Sequence, residues 1–415
     1  MKVGIIGAGF AGLAAAYTLS RAGNKVVIFD ANKDIGGLAM GWKEKGWKSS
    51  LEKYYHHIFE NDSEIIRIAK ELGVQVDFYN PVSANFIEGK TMQLDSAWSL
   101  LNFSQLKLWS RLHMGIGIAL MKLVPNGIFL ERWKAVEFLP YLLGEESFNK
   151  IWKPLLVGKF AIYADKVNMA WVWARVFKRT KRLGYFKGGF QALANAIGEY
   201  VTNHGGALRL GNIVKEIKPF KNKWVVNNEE FDKVLITTPT NIAEKLLNYS
   251  IAKSKPSTYL SCQVLVLRLK KSILPSYWIS VLERDFPFLV LVEHTKMISK
   301  NNYNDEHILY IGNYLTLDDP RLKMNINQLL ELFINKLKLV APSFSLKDII
   351  EKKMFVNNFA QPVFEKNYSE YIPKHDLGRN IYLCNMEQVY PWDRGTNYAV
   401  RDGIIIAGKI LTNAI

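Results

Sequence analysis

Four residues near the start of the chain have the types and spacing to hold a pyrophosphate. Gly7, Gly9 and Gly12 form G-x-G-x-x-G, and Asp30 follows at about the distance such loops require. The first glycine permits a tight turn, and the second lets the backbone approach the phosphates. The third lets a helix pack on a strand, and the acid accepts from a ribose hydroxyl. A second group invites other chemistry. The stretch KYYHHIF, residues 53–59, sets His56 beside His57 in a chain with only seven histidines. That pair could ligate a metal, act as a base, or lie as an aromatic surface beside a flat cofactor.

These residues need elements to position them. Residues 2–6 read as a short β-rich run. An Ala/Leu-rich helix follows to about Ala22 and closes at Gly23, and a strand over residues 25–29 ends at Asp30. Phe10 and Ala11 fall at the helix N-terminus and join the set expected to hold the phosphates, because free N–H groups and the helix dipole meet there. Gly36 and Gly37 lie just after the acid, followed by Leu38. A second glycine pair lets another loop reach the same pyrophosphate, which suits an extended FAD better than NAD alone.

With these motifs the sequence resembles the FAD-dependent amine oxidase superfamily. That group includes monoamine oxidases, protoporphyrinogen oxidase, phytoene desaturases and, more distantly, UDP-galactopyranose mutase. The resemblance implies an α/β fold, with a discontinuous FAD-binding Rossmann-type (glutathione-reductase-like) domain. It also implies an α+β substrate domain made of an antiparallel sheet and a helical lobe. Residues 1–80, 185–249 and 375–415 would form the first, and residues 81–184 and 250–374 the second. Residues 185–217 resemble the family's return to the cofactor domain, with a helix over residues 190–203 and a strand over residues 213–217. Val214 then falls where relatives contact the adenine, and Thr238 where their strand meets a proline turn.

The C-terminal stretch YPWDRGTN resembles protoporphyrinogen-oxidase-like proteins more than monoamine oxidases. A strand over residues 381–384 precedes it, and a terminal helix starts near Asn397. By resemblance the start of that helix faces the flavin ring, which nominates Asp393, Asn397, Tyr398 and Ala399. The chain departs from the family pattern at Leu38 (often Arg), Asp30 (usually Glu), Met386 (Asp) and Tyr398 (often Gly). In relatives the loop after the glycine pair carries a G-x-H-x-F-like stretch. His57 takes its His position, with Asn61, Asp62 and Ser63 capping a helix near Glu64. Adjacent residues on an extended strand face opposite ways. His57 is therefore expected on the flavin side and His56 away from it, and no metal is expected.

The segments between read differently from each other. Leu101, Leu108, Leu112, Ile116, Leu120 and Leu123 recur at helical spacing, with Lys107, Arg111 and Lys122 among them. This stripe fits an interfacial membrane face or the core of an internal lobe equally well. The apolar run over residues 114–130 is broken by Lys122, Pro125 and Asn126, so it is not a span. Residues 258–317 alternate as antiparallel strands. They offer Glu293, His294, Thr295, Tyr310 and Asn313 as cavity groups, and His57, Glu293 and His294 as acid or base candidates.

A net charge of +16 favours anionic partners, and without a nucleic-acid motif an anionic membrane surface is the better use of it. Two separated cysteines, Cys262 and Cys384, and a chain that begins on a strand suggest a reducing, cytoplasmic setting, on the inner face of the membrane. The expected function is FAD-dependent hydride transfer on a bulky, apolar substrate such as an isoprenoid or tetrapyrrole. Two alternatives stay open. One is a flavin-dependent sugar-nucleotide isomerase with Arg175, Arg179 and Arg182 clamping a diphosphate. The other is a non-catalytic FAD-binding scaffold.

Overall fold

The apolar run Lys2–Ile6 lies within a six-stranded sheet. Its order is Ala207–Leu210, Lys25–Asp30, Lys2–Ile6, Lys233–Ile236, Ile381–Leu383, Asp376–Gly378. The structure, a computed structural model, describes residues 1–251 and 257–412. The first five strands run parallel and Asp376–Gly378 runs against its neighbour. Parallel strands covered on both faces carry near-continuous apolar residues, as KVGII and KVVIFD do. Val3, Ile5, Val26 and Ile28 face the helices Phe10–Arg21 and Phe190–Asn203. Ile6, Val27 and Phe29 face a meander of Ile217–Phe220, Lys223–Val226 and Glu229–Phe231, where Phe29 meets Phe231 edge-on at 5.8 Å. The strand expected over residues 213–217 instead starts at Ile217, and Ala207–Leu210 fills the sheet edge.

Register does the first part of the positioning. Pairing Ile6 with Ile236 sets Gly7 beside Thr237, where the strand order reverses. Open α/β sheets bind ligands at such a switch point. The helix Thr396–Thr412 lies along Phe10–Arg21 so closely that a Cβ at Gly403 would stand 2.3 Å from the Ala11 carbonyl oxygen.

The second sheet has seven strands in the order Ile349–Pro362, Tyr259–Leu269, His307–Leu315, Val290–Glu293, Trp278–Val281, Ser83–Ile87, Lys90–Gln93. All neighbours are antiparallel except Trp278–Val281 with Ser83–Ile87. Tyr259–Leu269 shows how its two faces are used. Leu265, Leu267 and Leu269 pack under the helix Ile326–Val340, through Leu329, Phe333 and Leu337. Leu260, Cys262, Val264 and Val266 face the other way, toward the larger core shared with the first sheet. The segment expected to be mostly helical thus contributes a hairpin to this sheet before its helices begin.

Those helices include Leu108–Leu123, Ala135–Leu143, Lys153–Phe160 and Met169–Lys178. Leu108–Leu123 buries Met114, Gly117 and Met121, and a Cβ at Gly117 would meet the Leu142 carbonyl oxygen at 2.2 Å. Its opposite face carries the stripe. Trp109 is 79% exposed, Ile116 62% and Leu123 77%, with Leu108, Leu112 and Leu120 beside them and Trp98 75% exposed nearby. The stripe is therefore not core. Among the described residues no helix is long and apolar enough to cross a membrane.

Candidate functional site

The first glycine loop is built around two close approaches. A Cβ at Gly12 would sit 2.1 Å from the Gly7 carbonyl oxygen, so only glycine lets the helix Phe10–Arg21 start this near the sheet. Gly9 faces the second loop: it pairs with Gly36 in an isolated parallel bridge, and Gly36 N donates to Ala8 O at 2.8 Å. Gly37, at φ +60°, would carry a Cβ 2.9 Å from the Gly9 Cα. The helix is capped by Gly9 with no side chain over its end. The first-turn N–H groups of Phe10 and Ala11 therefore lack an intrahelical acceptor and suit phosphate oxygens.

Asp30 is turned inward. Its Oδ2 accepts from Ala8 N at 2.7 Å, and its Oδ1 from Asn32 N at 2.8 Å and Asn32 Nδ2 at 3.0 Å. It braces the loop, and a ribose hydroxyl would use the lone pairs that remain. Val214 packs partly buried beside Ile217 and Val226. Thr238 stands at the end of Lys233–Ile236 with a buried Oγ1 that has no hydrogen-bond partner among the described residues. Cradle, bare helix end and orphan hydroxyl fit a dinucleotide at the switch point.

Farther along, a small cavity of about 20 Å³ is lined by Leu38, Tyr54, Tyr55, His56, Cys262, Tyr314, Ala360 and Arg394. Four parts of the chain converge there: the second glycine loop, the YYHH segment, the seven-stranded sheet and the loop before the last helix. The alternation of His56 and His57 holds, and the cavity falls to His56. His56 lines this cavity beside Leu38, with Nδ1 at 2.7 Å from Tyr54 O. His57 packs against Phe59, Tyr277 and Trp278, its Nδ1 3.4 Å from Tyr277 Oη. Burial lowers His56 to about 4 and His57 to about 3, so both rings are neutral near pH 7.

Two further expectations are corrected. Glu293 shares a face with Leu291, away from the cavity. Its Oε2 accepts from Ile273 N at 3.1 Å and Leu274 N at 2.7 Å, pinning a loop beneath the sheet. His294 sits in a buried aromatic knot, with Nε2 2.9 Å from Tyr303 Oη and its ring 5.1 Å from that of Tyr185. Tyr185 Oη donates to Glu52 Oε2 at 2.5 Å, Phe190 N donates to Glu52 Oε1 at 2.7 Å, and Tyr310 Oη donates to Glu52 O at 2.6 Å. Neither Glu293 nor His294 is placed to exchange protons in the cavity.

At the C-terminal loop the side-chain roles also differ from expectation. Asn397 caps the helix Ser63–Glu71: Ile65 N donates to its Oδ1 at 2.9 Å, and its Nδ2 donates to Glu64 Oε2 at 2.9 Å. Asp62 instead accepts from Phe59 N at 2.9 Å. The Asn397 amide is thus spent on that helix, which leaves its backbone for any ligand. Tyr398 stacks on Trp392 at 5.8 Å, and Ala399 packs partly buried beside it. Asp393 contacts Arg175 and accepts from Trp171 Nε1 at 2.9 Å. The residue that sequence reasoning missed is Lys159. It lies half-buried with its ammonium 4.3 Å from the centre of the Tyr314 ring, and in the sequence it is only the second lysine of an otherwise apolar helix.

Comparison with known proteins agrees with this geometry. The chain is 22% identical over 285 residues to 15-cis-phytoene desaturase from Glycine max, covering 60% of this chain and 49% of that protein. It spans about half the length of the curated relatives it matches. Among solved structures, reduced UDP-galactopyranose mutase superposes with a TM-score of 0.79 at 18% identity, over 100% of this chain and 96% of that one. Cyclohexylamine oxidase from Brevibacterium oxydans gives 0.71 at 15% identity, over 99% of each chain. At such identities the superpositions establish the fold alone. The sequence profile described as "Flavin containing amine oxidoreductase" matches residues 10–375. With most of its length matched and the double-glycine cradle in place, this chain belongs to the flavin-containing amine oxidoreductase family.

Proposed function

We propose that the protein is an FAD-dependent oxidoreductase that moves hydride between flavin and a bulky, largely apolar small molecule. The observation that carries this is the double-glycine cradle at a bare helix end, joined to an aromatic-lined cavity within one family fold. Gly7, Gly9, Phe10, Ala11, Gly12, Gly36 and Gly37 would hold the pyrophosphate, with Asp30, Val214 and Thr238 toward the adenosine. Leu38, His56, Asp393, Tyr398 and Ala399 would lie along the ring end. When bound, FAD supplies the hydride acceptor or donor. The protein's own part is to bind, orient and keep water out; Tyr54, Tyr55 and Tyr314 give the cavity walls that do so. In this reading residues 1–80, 185–249 and 375–415 form the cofactor domain. Residues 81–184 and 250–374 form the substrate domain, and an isoprenoid or a tetrapyrrole is the substrate class.

The decisive measurement is the visible spectrum of the purified protein and its bleaching by candidate substrates with steady consumption of an acceptor. A protein that cannot be loaded with FAD sinks the proposal. Turnover only after the flavin is pre-reduced supports a sugar-nucleotide isomerase instead. Arg182, one of the three arginines of that clamp, weighs against this reading, because it pairs at 3.8 Å with Glu60 on the surface. His56→Ala is expected to shift the flavin absorption and weaken FAD by about tenfold, roughly one lost cavity contact. His57→Ala should change neither noticeably, and equal effects would return the ring-side role to His57.

The exposed stripe of Leu108–Leu123 supports a peripheral contact with an anionic membrane at the cytoplasmic face. Apolar side chains stand outward at helical spacing with Lys107, Arg111 and Lys122 between them, in a chain of net charge +16. An apolar substrate would then come from the same bilayer. Each Ile or Leu buried in lipid contributes about 1.5 kcal/mol or more. Ile116→Glu with Leu120→Glu should therefore weaken binding to vesicles containing phosphatidylserine by at least about a hundredfold, with an unchanged melting temperature. Unaltered sedimentation with vesicles would remove the membrane assignment.

A further inference from the structure

One group of side chains beside the cavity is not used by anything described so far. Lys159 comes from the end of Lys153–Phe160, Arg175 from Met169–Lys178, and Arg394 from the loop before the last helix. Two aromatic rings hold them together. Lys159 lies 4.3 Å and Arg394 5.3 Å from the centre of the Tyr314 ring, while Lys159 lies 6.0 Å and Arg175 5.0 Å from that of Trp171. Arg394 donates from Nε to Gln361 Oε1 at 2.9 Å and also contacts Tyr314 Oη, both neutral partners. Asp393 is the one carboxylate in contact with the group among the described residues, and Arg175 takes it. Lys159 has no hydrogen-bond acceptor or ion pair among them, only the two ring faces.

Three cations stand against one carboxylate here, with Lys159 and Arg394 half-buried and Arg175 exposed at the outer edge. A desolvated charge without a counter-ion is costly, and a fold that needed only packing would carry neutral side chains here. Burial holds Lys159 well below the usual lysine range; Asp393 opposes this, and the Arg394 and Arg175 charges add to it. Burial likewise lowers Arg394. The phosphates of a dinucleotide do not answer the need, because they are provided for at Gly9, Gly37 and the helix end beyond. Arg394 and Tyr314 also line the cavity itself, so the group reaches the cavity through Arg394, with Lys159 behind the Tyr314 ring.

We propose that Lys159, Arg175 and Arg394 form a subsite for an oxyanion, a phosphate or a carboxylate, carried at one end of the otherwise apolar substrate. This rests on the flavin-cavity reading above and narrows its substrate from apolar to amphiphilic. The anion would share Arg175 with Asp393 and take Lys159 outright. Charge-assisted hydrogen bonds would then replace contacts that ring faces only partly supply.

The test is calorimetric titration of the flavin-loaded protein with dodecyl phosphate, dodecanoate and dodecanol. At least about tenfold tighter binding of an anion than of the alcohol is expected. That preference should vanish in Lys159→Met and return in Lys159→Arg. Phosphate binding tighter than carboxylate identifies the head group as a phosphate, and the reverse order as a carboxylate. Without anion, Lys159→Met should melt higher than the parent, since an unmatched cation is gone, and inorganic phosphate should raise the melting temperature of the parent alone. If Lys159→Met misfolds, Lys159→Gln gives the same comparison. Equal affinity for all three amphiphiles overturns the proposal, as does a preference that survives in Lys159→Met with Arg394→Met. Loss of the flavin reading is visible separately, as a colourless protein, and the titrations then run on that protein with the same outcomes.

Discussion

A methyl group added at Gly12 should break the packing of the first helix, whereas one added at Gly9 should leave the protein folded but poorly able to hold flavin. At Gly12 the new Cβ would stand 2.1 Å from a backbone oxygen, that of Gly7, which cannot swing aside. The helix would have to lift from the sheet, at a cost of about 3 kcal/mol or more. At Gly9 the nearest atom is Gly37 Cα at 3.8 Å, and φ is an ordinary −75°. No strain arises there, yet the methyl occupies the gap between the two loops and the bare helix end. FAD affinity should fall on the order of a hundredfold, about 2.7 kcal/mol. Melting of the flavin-free variants and titration with FAD separate the two. Gly9→Ala with unchanged melting and unchanged affinity would disprove the assigned phosphate site.

The second large effect is predicted at Glu52. Burial raises its carboxyl from the ordinary 4.5 to about 7, against the hydrogen bonds from Tyr185 and Phe190, which favour the ionised form. The folded value lies above the unfolded one. The contribution to stability is therefore full below about pH 4.5 and is lost as pH rises through about 7. Across that window the loss sums to about 3 kcal/mol, at about 1.4 kcal/mol per pH unit. Glu52→Gln keeps an acceptor for Phe190 and cannot ionise, so its stability should be nearly flat between pH 5 and 8. Glu52→Ala leaves the Tyr185 hydroxyl and the Phe190 amide unpartnered in the core, costing about 3 kcal/mol at pH 5. Denaturant melts at pH 5 and pH 8 decide the matter; parallel profiles for parent and Glu52→Gln would refute it. Because Glu52 precedes the YYHH segment, a flavin that loosens above pH 7 in the parent alone would share this cause.

The parts of the molecule legible in the sequence are those set by local rules. Gly7, Gly9 and Gly12 announced a strand, a turn and a helix because each glycine answers a steric demand within a few residues. The strands near Tyr259–Leu269 and His307–Leu315 showed through apolar runs alone. What was lost depends on facing. Periodicity located the stripe of Leu108–Leu123 but not its environment, since core and bilayer both favour apolar side chains. Alternation separated His56 from His57 and Glu293 from His294, but parity does not say which face meets the cavity. Asn397 capping Ser63–Glu71 and Tyr185 bonding Glu52 join residues distant in the chain, and no short motif encodes such pairs. Lys159 is a cation on an apolar helix, a pattern that ordinarily means a solvated tip.

The placement of Thr396–Thr412 on Phe10–Arg21 has a consequence for how the molecule is made. The two surfaces in contact at Gly403 and Ala11 are separated by nearly the whole chain. Local contacts form early and long-range ones late, because closing a long loop is entropically unfavourable. On a ribosome, the apolar face of the first helix is synthesised long before Thr396–Thr412 and waits for that cover. During that interval the emerging protein exposes a surface that chaperones bind and that promotes aggregation. Supplying residues 376–412 as a separate peptide to a nascent chain stalled before them is therefore a way to complete the sheet in trans.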